Sequence, residues 1–171
     1  MPQVGFNDFR QWLVGLIRLV VGLATSVTFL FWIHRANTNC HGFDAAGMRF
    51  SPGWSVGSFF IPILNLFKPY EAMKEIWRVS TDPYDWRAVR DWGPLRWWWG
   101  LWLLNSFAFQ FAMRRASTVH DVMTLKMATT VWIIVKFLFI PLCLAALVVV
   151  SSIHERQLNL TENGSYPAES G

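Results

Sequence analysis

Five side chains between positions 65 and 78 could together hold an anion: Asn65, Lys68, Tyr70, Glu71 and Arg78. Asn65 is an amide inside an apolar run, three residues after Pro62. A proline inside a helix removes one backbone hydrogen bond and frees a carbonyl. That carbonyl and the Asn65 amide could line a small polar cavity. Lys68, Tyr70, Glu71 and Arg78 would form its rim, where cationic donors suit a phosphate or carboxylate headgroup. The structural alternative is that Asn65 bonds a neighbouring helix while Pro62 only fixes a bend.

Other constellations carry less. His34, Cys40, His41 and Asp44 offer four metal donors in a short stretch, but their spacing matches no zinc pattern. Arg18 and Lys136 lie near the starts of apolar runs, where long basic side chains reach back to an interface. Asn105, Ser106 and Gln110 read as contacts between helices. Trp97, Trp98 and Trp99 point three ways on a helix, as an aromatic belt would and a ligand cage would not. No H-E-x-x-H or Walker-type loop occurs. Glu71 and Glu75 are the only carboxylates suited to a lipid-modifying enzyme. No catalytic, cofactor-binding or metal residue is assigned, and no cofactor is expected.

The elements that must position these residues are apolar. Hydrophobic residues make up 53% of the 171 positions and charged residues 15%, against about 25% charged in soluble domains. Mean hydropathy is +0.29. One core of this size could not hide so much apolar surface from water, whereas a bilayer is itself apolar. A first span is expected from Trp12 to Ile33, long enough for a hydrocarbon core needing roughly 20 residues. It ends in Trp-Ile-His-Arg, unlike a cleavable signal peptide. A polar connector follows over 34–52. The charge-free stretch 51–67 is either a helix kinked at Pro62 or a re-entrant segment. Met73, Ile76 and Trp77 then mark an amphipathic helix along the interface. Further spans are expected at Trp97–Met113 and Thr129–Val150. Cys40 and Cys143 give no disulfide framework.

The net charge of +4 is spread between apolar runs, which suits lipid headgroups and topology signals rather than nucleic acid. If all four segments span, Lys and Arg outside them divide 8 (Arg10, Lys68, Lys74, Arg78, Arg87, Arg90, Arg96, Arg156) against 5 (Arg35, Arg49, Arg114, Arg115, Lys126). If 51–67 re-enters, the division is 9 against 4. Both arrangements put the loop 68–96 on the cytoplasmic side.

Residues 49–80 read RFSPGWSVGSFFIPILNLFKPYEAMKEIWRVS. With FLFWIHRANTN upstream and GLWLLN downstream, this resembles a bacterial family of multi-pass membrane proteins of unknown function. Pro52, Gly53, Trp54, Pro62, Asn65, Lys68, Pro69, Tyr70, Trp77 and Arg78 carry the resemblance, which covers most of residues 27–113. Such proteins commonly have another apolar helix ahead of the first one here, which leaves the N-terminal orientation open. The resemblance implies architecture and location but no activity.

The expected fold is therefore all-α: an integral membrane bundle of four hydrophobic helices, the second kinked at Pro62 and continuing into an interfacial amphipathic helix. Residues 1–153 form one embedded domain, and 154–171 a polar, disordered tail. The expected role is that of a small scaffold or accessory protein of the cell membrane. It would contact lipid headgroups, a protein partner or another copy through the 68–96 face, with no nucleic acid. The alternative is a transporter- or channel-like subunit acting as an oligomer.

Overall fold

The computed structural model describes residues 3–116 and 122–162. Over them the chain is all-α, with five helices: α1 (Gln3–Gly42), α2 (Pro52–Gly57), α3 (Lys68–Thr81), α4 (Gly93–Ala116) and α5 (Val122–Glu162). Two stretches, Asp8–Gly42 in α1 and Thr129–Glu162 in α5, are long and apolar enough to cross a membrane.

α1 has two unlike halves. Residues 8–28 are exposed along the whole stretch, although most are apolar. From Ile33 onward the helix is packed: Ile33, Ala36, Cys40 and Phe43 are buried against Met73, Ile76 and Val79 of α3 and Ile153 of α5. This packing explains why the helix runs on to Gly42 through the stretch expected to be connector. Beyond it, Asp44 (φ 55°) and Gly47 (φ 72°) turn the chain back. The Gly47 carbonyl accepts a hydrogen bond from Arg87 Nη2 at 3.2 Å.

The second apolar stretch is not one kinked helix. Ser51 Oγ caps α2 by accepting from the Trp54 amide at 3.3 Å, and Pro52 sits in the first turn. The helix then stops at Gly57. Tight turns follow, in which Phe59 N donates to Val56 O and Phe60 N to Gly57 O, both at 3.1 Å. A 3-10 turn at Leu64–Leu66 leads into α3. Pro62 lies among these turns and has no amide to give, so the expected kink is a complete break. The amphipathic helix is a separate element starting at Lys68 with Pro69 in its first turn.

α4 and α5 pair along their length, and α3 packs against α1, α4 and α5. Trp98 and Trp99 are buried in the core while Trp97 is exposed, so the expected belt keeps only one of the three. Trp77 of α3 stacks on Trp92 at 4.2 Å, and the Arg156 guanidinium of α5 lies 4.3 Å from the Trp77 ring. The tail expected to be disordered from residue 154 is instead helical to Glu162. Gln157 is buried and Leu160 half-buried, one face of α5 held against α1 and α3. Residues 163–171 of that tail lie outside the described residues. Cys40 and Cys143 are both free.

Candidate functional site

α3 sets out Glu71, Lys74, Glu75 and Arg78 on one face by their spacing of three and four. The connector brings Arg49 and Phe50 to this face, and the loop after α3 brings Asp91. Glu75 is the anchor. Its side chain is only 2% accessible. Oε1 accepts the backbone amides of Arg49 at 2.8 Å and Phe50 at 3.1 Å. Oε2 lies 3.6 Å from the Arg49 guanidinium. Glu71 pairs with Lys68 at 2.8 Å and with Arg49 at 3.9 Å.

Asp91 gathers three cations: Lys74 and Arg78, each at 2.8 Å, and Arg96 at 3.4 Å. Partial burial pushes its carboxyl pKa up. Hydrogen bonds and charge from Lys74, then Arg78, more than offset this and leave it below the usual value of 3.8. Five cations thus share three carboxylates, Glu71, Glu75 and Asp91. Between them opens a cavity of about 510 Å³. Arg49, Lys74 and Arg78 give it a charged wall, and Tyr70, Trp99 and Leu103 an apolar one. Tyr70 and Trp99 are stacked, with ring centroids 6.2 Å apart. Arg78 Nε is buried with no hydrogen-bond partner among the described residues.

Of the five residues singled out by sequence, Tyr70, Glu71 and Arg78 line this cavity, and Lys68 joins through its pair with Glu71. Asn65 does not. It lines a second cavity of about 350 Å³ with Pro62, Trp102, Ser106 and Gln110. Its Oδ1 is buried without a partner among the described residues. Leu66 and Leu103 line both cavities, so the two adjoin. Sequence reasoning did not place Arg49, Lys74, Asp91 or Arg96 in the site. The helical spacing of Lys74 after Glu71 was available as a signal. Nothing local announces Arg49 or Asp91.

The metal donors considered in the connector do not converge. His41 Nε2 lies 3.2 Å from the Phe50 carbonyl oxygen. Cys40 is buried beside the Ile76 carbonyl and Ser80. Cys40 belongs to a different constellation, centred on Gln157. The Gln157 amide nitrogen donates to Ala36 O and Ser80 Oγ, both at 3.0 Å, and lies 3.5 Å from Cys40 Sγ. Its oxygen accepts from Asn39 Nδ2 at 2.9 Å. This knot ties α5 to α1 and α3.

The model of a domain of unknown function, DUF4328, matches residues 2–155, most of the chain and all of the charged cavity. No curated protein and no solved structure matches the chain.

Proposed function

Proceeding from a chain that belongs to the DUF4328 family, a domain of unknown function, we propose that it is a multi-pass membrane scaffold or accessory protein binding anionic lipid headgroups on the cytoplasmic side. The carrying observation is the α3 cavity, where Arg49, Lys74 and Arg78 stand with Glu71 and Glu75 above an apolar wall. A phosphate there would meet Arg49, Lys74 and the unpartnered Arg78 Nε, while Tyr70, Trp99 and Leu103 face the acyl chain. The membrane setting is supported by the exposed apolar half of α1 and by the length of α5. The face of residues 68–96, with its lysines and arginines, is the cytoplasmic one.

Melting of the detergent-purified protein tests this. Anionic phospholipid should raise Tm by several degrees and zwitterionic phospholipid should not. Lys74→Gln with Arg78→Gln should abolish the difference. Equal effects of the two lipids on the wild type would sink the headgroup reading.

One observation favours a second reading, a conduit formed on oligomerisation. Asn65, Ser106 and Gln110 surround a cavity in which the Asn65 oxygen has no partner among the described residues. Reconstituted vesicles that pass no ion or solute would remove it.

A further inference from the structure

We propose that residues 51–67 form a re-entrant hairpin that dips into the acyl chains of one leaflet and returns to the side it left. Three helices, α1, α4 and α5, then cross the bilayer. The inference rests on the membrane reading above and deepens it.

The two ends of the segment meet. The Arg49 guanidinium lies 5.7 Å from the Phe50 ring centroid, and the Lys68 ammonium 5.8 Å from the same centroid. Both side chains pair with one oxygen of Glu71. A spanning segment would hold its ends roughly 30 Å apart, the thickness of the hydrocarbon core. The flanking loops also touch. Trp86 Nε1 donates to the Ala46 carbonyl at 3.2 Å, and Arg87 to the Gly47 carbonyl at 3.2 Å. The chain therefore leaves and re-enters the charged layer at one place.

What lies between fits acyl chains. No charged residue occurs from 50 to 67. Phe60, Ile63 and Phe67 are 70%, 75% and 63% exposed, with Trp54 also outward. Contiguous apolar exposure of this kind marks an interaction surface. The polar layer at both its ends makes the leaflet interior the occupant. Irregular backbone at that depth must find its hydrogen bonds within the protein. Here several bonds close within the segment itself: Asn65 N donates to Ile61 O at 2.8 Å, Leu66 N to Ile63 O at 3.3 Å and Phe67 N to Leu64 O at 3.0 Å. Pro62 is the residue with no amide to satisfy.

The rest of the chain agrees. Gln157 near the end of α5 bonds Asn39 and Ser80, so that end lies on the α3 side. Phe109 of α4 meets Trp132 of α5 edge-on at 5.6 Å, toward the opposite end. With three crossings, the α3 side carries nine Lys and Arg outside the spans and the other side four. With Arg18 and Lys136 drawn to their near interfaces, three and four crossings both divide nine against six, so the count does not choose between them but makes the α3 side cytoplasmic in either.

Cysteines introduced one at a time as Ala46→Cys and Tyr84→Cys, in a Cys143→Ala background whose remaining thiol is the buried Cys40, test the topology with a membrane-impermeant maleimide on sealed inverted vesicles, the background protein alone serving as the unlabelled control. Both should label without permeabilisation. Labelling from opposite sides overturns the hairpin. Alkaline carbonate extraction of the same vesicles keeps the two readings apart. Release of the protein overturns membrane embedding and the hairpin together, whereas retention with opposite-side labelling overturns the hairpin alone. A nitroxide at Ile63→Cys should be relaxed more by dissolved oxygen than by a water-soluble nickel chelate. The reverse order overturns insertion into the leaflet.

Discussion

Polar groups beside α3 are mostly paired, with Glu75 Oε2 and Arg78 Nε left without a hydrogen-bond partner among the described residues, whereas beside Pro62 the pairing fails at the one buried amide. Next to α3, the Glu75 carboxylate takes two backbone amides and a guanidinium, Asp91 gathers three cations, and the Gln157 amide is used at both ends. Next to Pro62, the Asn65 oxygen is buried without a partner among the described residues. A densely paired network fixes one arrangement, while a buried group left without a partner retains capacity for something from outside. The first region is built to hold helices together. The second can accommodate a change of neighbour, which suits a surface meeting lipid or another chain.

Substitutions can break this contrast, the largest effect coming from the knot. Gln157→Leu removes the bonds to Asn39 Nδ2, Ser80 Oγ and the Ala36 carbonyl, and should cost about 2–4 kcal/mol at ~0.5–1.5 kcal/mol for each of the three. Denaturation of the purified protein reads this directly. A loss below about 0.5 kcal/mol, the size of an ordinary surface substitution, would mean that the knot does not hold α5 to α1. Glu75→Gln comes next. It keeps one acceptor for the connector amides but loses the charge, for about 1–2 kcal/mol. Arg49 should then become more accessible to proteolysis or labelling of the connector.

The Asp91 cluster sharpens the comparison through pH. Its folded pKa is lowered, so its contribution is complete above the unfolded value of 3.8 and is lost as pH falls through the folded value. Asp91→Asn should cost about 0.5–1 kcal/mol at neutral pH. The gap between variant and wild type should close in acid, and a gap constant down to pH 2 would contradict the pairing. Asn65→Leu should have the smallest effect, within about 0.5 kcal/mol in either direction, because no bond is lost with the amide. A large loss would mean that Asn65 has a partner in the membrane and belongs with the first group.

The same contrast divides what was legible in the sequence. α5 and the first part of α1 are long apolar runs, and such runs declare themselves by length. Pro62 marked a disturbance at the right residue. Whether a proline kinks or breaks a helix depends on where the freed backbone groups find partners, and only the folded chain supplies those. The end of α5 was misread because polar composition alone suggests disorder. The spacing of Ile153, Gln157 and Leu160, four then three residues, was the available sign of a buried face. Asn39 and Gln157 are 118 positions apart, and no pattern within a window joins them. Arg49 reaches Glu75 only because Asp44 and Gly47 take positive φ. Gly47 permits that readily, whereas an aspartate there is uncommon.

The exposed half of α1 has a consequence for the choice of membrane. Residues 8–28 correspond to about 31 Å of helix at 1.5 Å per residue. The packed half beyond Ile33 is pinned to the charged layer by α3 and α5. A helix fixed at one end and bare along the other behaves as a gauge of hydrophobic thickness. Embedded as proposed, it would stand upright or draw the lipid thin in a thicker bilayer and lean in a thinner one, at a fraction of a kcal/mol per ångström of mismatch.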